Sequence, residues 1–259
     1  IIAGIATHIV LFCMLKMLEK DGDLISIHTT TFGKWVGSIF SVIFTLYCLL
    51  FCLTVLRTYM EVIQVWIFPT IKLWKLTLMF LLVTYYIIKG GFRSVTGICF
   101  WGIVLPIFVV FFLIYPMKYA HFRNILPIFT HSPFDMLISA KQSALEFLGF
   151  ETILIFYPFI EKGKSLKRWA HAGIAFSTLI YVVLAIVSFM YYSEGQLNRT
   201  IWPTLTMLKI IKVPFIQRFE YIIIFVWFLI ILPNLCLTIW SSCQTMKRSF
   251  HISFKFTLP

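Results

Sequence analysis

The segment KQSALEFLGFETILIFYPFI, residues 141–160, is long and apolar enough to cross a bilayer, yet it carries two carboxylates and a central glycine. A hydrocarbon core of ~30 Å takes about 20 helical residues. A charged side chain at its centre costs roughly 2.5–3.5 kcal/mol on insertion scales, so Glu146 and Glu151 each require a partner, a proton or a cavity. Gly149 lies between them and weakens the helix. Irregular backbone at membrane depth survives only where protein buries it or where it lines a cavity. The segment therefore reads as a site and not as a plain anchor.

Composition sets the class. Of 259 residues, 60% are hydrophobic and 12% charged, against ~45–50% and ~25% in a soluble domain. An all-α polytopic membrane protein is expected, embedded in lipid through surfaces rich in its 28 phenylalanines. The net charge of +12 does not point to nucleic acid. Its cations lie in short loops between apolar runs, as topology-setting Lys and Arg do. The six cysteines lie in or at the ends of apolar runs without CxxC spacing, and read as small core residues. His8, His171 and His251 are scattered. No metal site or cofactor is expected. Nor is an enzyme: HExxH, GxSxG, a Walker loop and a paired intramembrane Asp cluster are all missing from the sequence.

Seven apolar runs are read as spans of a single transmembrane domain, at about 1–15, 36–60, 73–89, 95–115, 141–160, 172–192 and 219–243. The first is short because the chain begins inside it, and a fragment truncated at both ends is expected. The loops at 16–35, 89–94, 161–171 and 244–259 hold 12 of the 22 Lys and Arg residues in the shorter total length. This places them in the cytoplasm and Ile1 outside. Loop 116–140 is polar enough to lie outside the core. Loop 193–218 contains an apolar stretch, Trp202 to Ile211, with a proline at its second position, suited to a short re-entrant or interfacial helix.

Several residues carry candidate chemistry. Arg57 and Glu61 are four apart on one helix face. They form either a charged pair at the outer mouth of a pathway or two groups snorkelling to the interface. Glu151 sits ten residues from either end of its run, too deep for a short side chain to snorkel. Glu146, nearer Lys141, fits a gating or a structural role equally. Pro106, Pro158 and Pro233 each release a backbone carbonyl inside a span, and Asn234 beside Pro233 is an amide in need of partners.

Phe147-Leu148-Gly149-Phe150-Glu151 resembles the F-x-G-F-E element that marks the interrupted sixth helix of the amino acid–polyamine–organocation transporter superfamily. Three stretches bring the chain closer to the B subunits of bacterial spore germinant receptors. Leu56-Arg57-Thr58 with Glu61-Val62-Ile63 is similar to the end of that family's third helix. SALEFLGFETILIFYPFIEKGKSLKRW resembles its sixth helix and following loop, and WPTLTMLKIIKVPFIQRFEYIIIFVW its loop helix and start of the eighth. Arg93 and Gly97 occupy places where the family tends to have an acidic residue and then an Arg, so no salt link is expected there.

The resemblance implies a five-plus-five inverted-repeat amino acid transporter fold, with this chain covering about helices 2 to 8. It also implies a mid-membrane site for a small germinant, often an amino acid, whose carboxylate would meet amides of the broken helix. Carried over by position, the sixth-helix residues of that site are Ala144, Phe147, Gly149, Phe150 and Glu151. Helical periodicity adds Tyr47, Phe51 and Thr54 from the third helix and Trp227, Ile231 and Asn234 from the eighth. The implied partners are other germinant receptor subunits, in the spore inner membrane or cell membrane. A secondary amino acid permease coupled to an ion gradient would use the same pocket. A seven-span retinal receptor is the third reading, and the last span lacks the lysine it would need.

Overall fold

The computed structural model describes residues 1–126, 132–160, 165–212 and 218–250. Every regular element among them is helical, as a bilayer demands of a chain that must satisfy its own backbone. The order is α1 (Ile2–Asp21), α2 (Leu24–Trp66), α3 (Leu73–Lys89), α4 (Phe92–Val104), α5 (Ile107–Phe111), α6 (Ile114–Met117), α7 (Pro133–Ser143), α8 (Ile153–Phe156), α9 (Ser165–Tyr191), α10 (Glu194–Leu197), α11 (Pro203–Leu208) and α12 (Glu220–Phe250). Five stretches are long and apolar enough to cross a membrane: Ile2–Lys20, Leu24–Trp66, Phe92–Met117, Ser165–Tyr191 and Glu220–Phe250. The helix α3 is shorter at 17 residues, and residues 141–160 are broken into short pieces.

The chain sorts into two compact units. The first comprises Ile1–Leu11, Pro106–Leu148 and Lys164–Val226, the second Phe12–Leu105, Gly149–Gly163 and Trp227–Pro259.

In the second unit, helix α2 starts well before the apolar run at 36–60, inside a stretch read from sequence as cytoplasmic loop. Asp23 is its cap, accepting from the Ser26 backbone N–H at 3.0 Å, and the same carboxylate pairs with Arg248 near the end of α12. Gly33, at φ 77°, turns the helix sharply, and residues 24–32 fold back on the part that follows. His28 Nδ1 comes within 3.2 Å of Ser41 Oγ, whereas thirteen residues of continuous helix would hold them about 20 Å apart. Gly37 makes the fold-back possible, because a Cβ there would meet the His28 carbonyl at 2.8 Å. No periodicity in residues 24–32 announces this helix. Tertiary packing decides it.

Small residues and aromatic edges hold the rest of this unit together, in a medium where burial of apolar groups gives helices little net attraction. Pro233 removes the N–H that Leu229 O would have accepted. Gly102 of α4 packs against that site, where a Cβ would lie 2.4 Å from Pro233 Cγ and 2.6 Å from Leu229 O. Tyr59 of α2 meets Phe80 of α3 at 5.5 Å and Trp227 of α12 at 5.9 Å, both edge-on. Phe92, Phe159 and Trp240 form a second cluster, with ring centres 4.5–5.4 Å apart. Each such pair contributes about 0.5–1.5 kcal/mol beyond its area.

In the first unit, Ser132-Pro133-Phe134-Asp135 starts α7 inside the stretch read as loop 116–140. Ser132 and Asp135 form a reciprocal capping box, and Pro133 takes the first helical turn. The stretch from Trp202 does form a short helix, α11, and it buries Leu205, Met207 and Leu208 within the protein. Tyr192 Oη, just after α9, donates to the Pro203 carbonyl at 2.9 Å and ties α11 in place.

A paired substitution tests the packing at Gly102. Gly102→Ala should destabilise the protein by about 1–3 kcal/mol through overpacking. Gly97→Ala, where a Cβ meets open space, should leave thermal unfolding in detergent essentially unchanged. Equal melting temperatures for the two variants would contradict the packing.

Candidate functional site

Phe147-Leu148-Gly149-Phe150 breaks the 141–160 segment with a turn whose geometry follows from its glycine. Leu148 is extended at φ −61°, ψ 146°, and Gly149 follows at φ 109°, ψ −21°. Those are the central angles of a type II turn, which needs a positive φ at its third residue and so favours glycine there. Before the turn, Ala144–Phe147 is a single 3₁₀ stretch; after it, Phe150–Thr152 is another and leads into α8.

A turn at this depth frees backbone groups, and nearby side chains take them up. Gly149 N–H donates to Glu151 Oε2 at 2.8 Å. Thr152 Oγ1 donates to the Gly149 carbonyl at 2.6 Å. The other Glu151 oxygen, Oε1, accepts from Tyr47 Oη of α2 at 2.8 Å. On the 3₁₀ stretch before the turn, the Glu146 carbonyl accepts from Tyr181 Oη of α9 at 3.1 Å, and Phe147 meets the Tyr181 ring edge-on at 5.5 Å. Glu151 is only 8% exposed. Its carboxyl is spent on holding the break open and on pinning it to α2.

Asn234 of α12 completes the arrangement within the second unit. Its Oδ1 lies 3.3 Å and its Nδ2 3.7 Å from where a Gly149 Cβ would be, and Oδ1 accepts from Thr238 Oγ1 at 3.3 Å. The amide therefore faces the glycine of the turn. Tyr47, Gly149, Glu151, Thr152, Asn234 and Thr238 thus form one polar cluster around irregular backbone. Such a cluster can present peptide and amide groups to a small polar molecule in an apolar surround.

The remaining candidates differ in exposure and in partners. Phe150 is half-buried beside the cluster in sequence, and Ile231 is buried on α12. Phe51 is half-buried, and Thr54 is exposed with its hydroxyl bonded to the Leu50 carbonyl. Trp227 packs on Tyr59, twelve residues and about 18 Å along α2 from Tyr47. Ala144 and Glu146 are exposed, and Phe147 is half-buried. Arg57 and Glu61 are both exposed, and among the described residues no ion pair joins them. His251 lies outside the described residues. Sequence reading missed Thr152, Thr238 and Tyr181. Two of them had a signal: Thr238 follows Asn234 by one helical turn, and Thr152 stands three residues after the glycine whose carbonyl it binds.

The coupling between Tyr47 and Glu151 is measurable. In a double-mutant cycle of Tyr47→Phe and Glu151→Ala, each single variant should lower the melting temperature in detergent. The pair should be non-additive by about 0.5–3 kcal/mol. Gly149→Ala should also destabilise, since a side chain at positive φ costs roughly 1–2 kcal/mol. Strict additivity in the cycle would mean that the bond contributes nothing.

Comparison with known proteins agrees with the residues. The family described as Spore germination protein matches residues 1–258. The chain is 41% identical over 257 residues to Spore germination protein GerQB of Bacillus cereus, covering 99% of this chain and 71% of that protein. It is 24% identical over 234 residues to Spore germination protein B2 of Bacillus subtilis, and 21% over 230 residues to Spore germination protein A2 of the same organism. These two alignments take in 88% and 87% of this chain and 63% of each relative. The chain thus spans less than two thirds of the length of these last two. No solved structure matches it. With helices long and apolar enough to span a bilayer and a family match over nearly its whole length, the chain is an integral multi-pass membrane protein that belongs to the spore germination protein family.

Proposed function

We propose that this chain is the membrane subunit of a bacterial spore germinant receptor. It takes a small germinant of the amino acid class at the interrupted segment around Gly149. It works beside other receptor subunits in the spore inner membrane, and its fold is the five-plus-five inverted repeat of amino acid transporters, with the seven apolar runs as helices 2 to 8. The observation that supports this most is the turn at Gly149, kept open by Glu151 and Tyr47 in a family member. A chain that needed only an anchor would gain nothing from a break that requires a buried carboxyl and two hydroxyls to hold it.

The arrangement suits recognition by differential contact. Glu151 is committed to its own backbone and to Tyr47, so its role is to position the turn. Phe150 and the Asn234 amide are left as the groups that would meet a ligand. A germinant that bound one arrangement of the broken segment more tightly than another would shift the population between them, and that is the thermodynamic content of sensing.

Binding of labelled amino acids to the reconstituted receptor, with its partner subunits, tests the reading. Phe150→Ala and Asn234→Ala should each weaken binding at least tenfold, which corresponds to about 1.4 kcal/mol. Leu46→Ala, on the lipid-exposed face of α2 beside Tyr47, should leave affinity unchanged. Unaltered affinity in both site variants would sink the proposal. Ion-coupled uptake of an amino acid into vesicles holding this subunit alone would favour a permease instead.

A further inference from the structure

The structure joins two of the histidines that look scattered in the sequence. His8 of α1 and His171 of α9 are 163 residues apart in the chain, and their Nδ1 atoms stand 3.0 Å apart. Both rings are half-buried and both lie in the first unit. Gly4, one turn before His8, abuts Thr178, two turns after His171, so α1 and α9 run antiparallel here. A Cβ on Gly4 would lie 2.5 Å from Thr178 Oγ1. The missing side chain is what lets the helices approach closely enough for the rings to meet.

The ring geometry identifies the contact. The ring centres are 5.3 Å apart and the planes differ by 19°. That separation equals the nitrogen–nitrogen distance plus the two distances from ring centre to nitrogen. The nitrogens therefore point at each other along the line of centres, and the rings are nearly coplanar, not face to face. At 3.0 Å this is a hydrogen bond with room for one proton: one Nδ1 carries it and donates, and the other accepts. The outer nitrogens are then determined as well. With both rings neutral, the donor ring has a lone pair on Nε2 and the acceptor ring has a hydrogen on Nε2.

We propose that His8 and His171 form a two-imidazole proton relay. A proton from water binds the free Nε2 of the donor ring. The hydrogen on that ring's Nδ1 crosses the hydrogen bond to the Nδ1 of the other ring, which gives up its own Nε2 hydrogen to water beyond. One proton enters and one leaves, both rings end neutral, and their tautomers are exchanged. Each ring then turns away from its partner and trades one proton for another with water on its own side, Nε2–H for Nδ1–H in one ring and the reverse in the other, which restores the starting tautomers without sending the carried proton back. Ionisable side chains inside membrane segments mark ion pathways and proton relays far more often than they serve as filler. The relay rests on α1 and α9 and is independent of the germinant reading.

Two measurements test it, both on the full-length protein in lipid. In ¹⁵N-histidine NMR of the unmodified protein, one of these two rings should be the Nδ1–H tautomer, which a neutral histidine adopts less often than Nε2–H. That signal should vanish in His8→Asn and in His171→Asn. In liposomes under an imposed pH gradient, proton flux should fall at least fivefold in either variant and no further in the double variant, since either gap breaks the path. Both rings as Nε2–H in the unmodified protein would overturn the proposal, and so would equal flux in the unmodified protein and all variants. The tautomer measurement needs no substitution, so it decides the matter even where a variant folds poorly.

Discussion

A carboxyl with its two oxygens on different partners sets the character of this protein. Glu151 accepts from the Gly149 N–H of its own segment and from the Tyr47 hydroxyl of α2. In a soluble protein, water would offer both donors an alternative. In hydrocarbon the alternative is an unsatisfied backbone group and a stranded acid, each costing several kcal/mol. The type II turn at Leu148-Gly149 and the side chains around it are therefore mutually dependent. Remove the carboxyl and the turn loses its N–H acceptor; straighten the turn and the carboxyl loses a donor. The same logic operates on the other side of the break, where Tyr181 takes up the Glu146 carbonyl.

Glycine does two distinct jobs here. At Gly149 and Gly33 it supplies a positive φ that other residues rarely adopt. At Gly4, Gly37 and Gly102 it supplies an absent Cβ, so that a hydroxyl, a backbone carbonyl or a proline ring can sit where a methyl group would collide. Close approach of helices through small residues is the main means of packing when lipid is as apolar as the side chains. It explains why Pro233, which costs α12 a hydrogen bond, sits opposite a glycine of α4.

The interrupted segment was legible before any coordinates because two acids and a glycine inside 20 apolar residues violate what lipid tolerates. Tyr47 and Asn234 were reachable from helical spacing, and both stand at the turn. Of those reached by the same spacing, Thr54 spends its hydroxyl on the Leu50 carbonyl, and Trp227 packs on Tyr59, about 18 Å along α2 from Tyr47. Periodicity picks a face of a helix but not the height at which a neighbour crosses it. The fold-back at Gly33 was hidden because His28, Thr29, Thr30 and Thr31 give no apolar repeat. Contacts with Ser41 and the space at Gly37 carry that helix instead. The meeting of His8 and His171 was equally invisible, since 163 residues of chain separate them.

By itself, the sequence determined that the chain is helical and membrane-embedded, and that its fifth apolar run would not tolerate an unbroken helix around Glu151. These are one-dimensional consequences of hydrocarbon thickness and of the cost of a charge within it. Only the tertiary structure decided which donors reach Glu151, where α2 turns back, and which imidazole faces which. Each of those depends on the distance between helices and their relative height, and a side chain three angstroms from its partner leaves no trace of that partner in its own stretch of sequence.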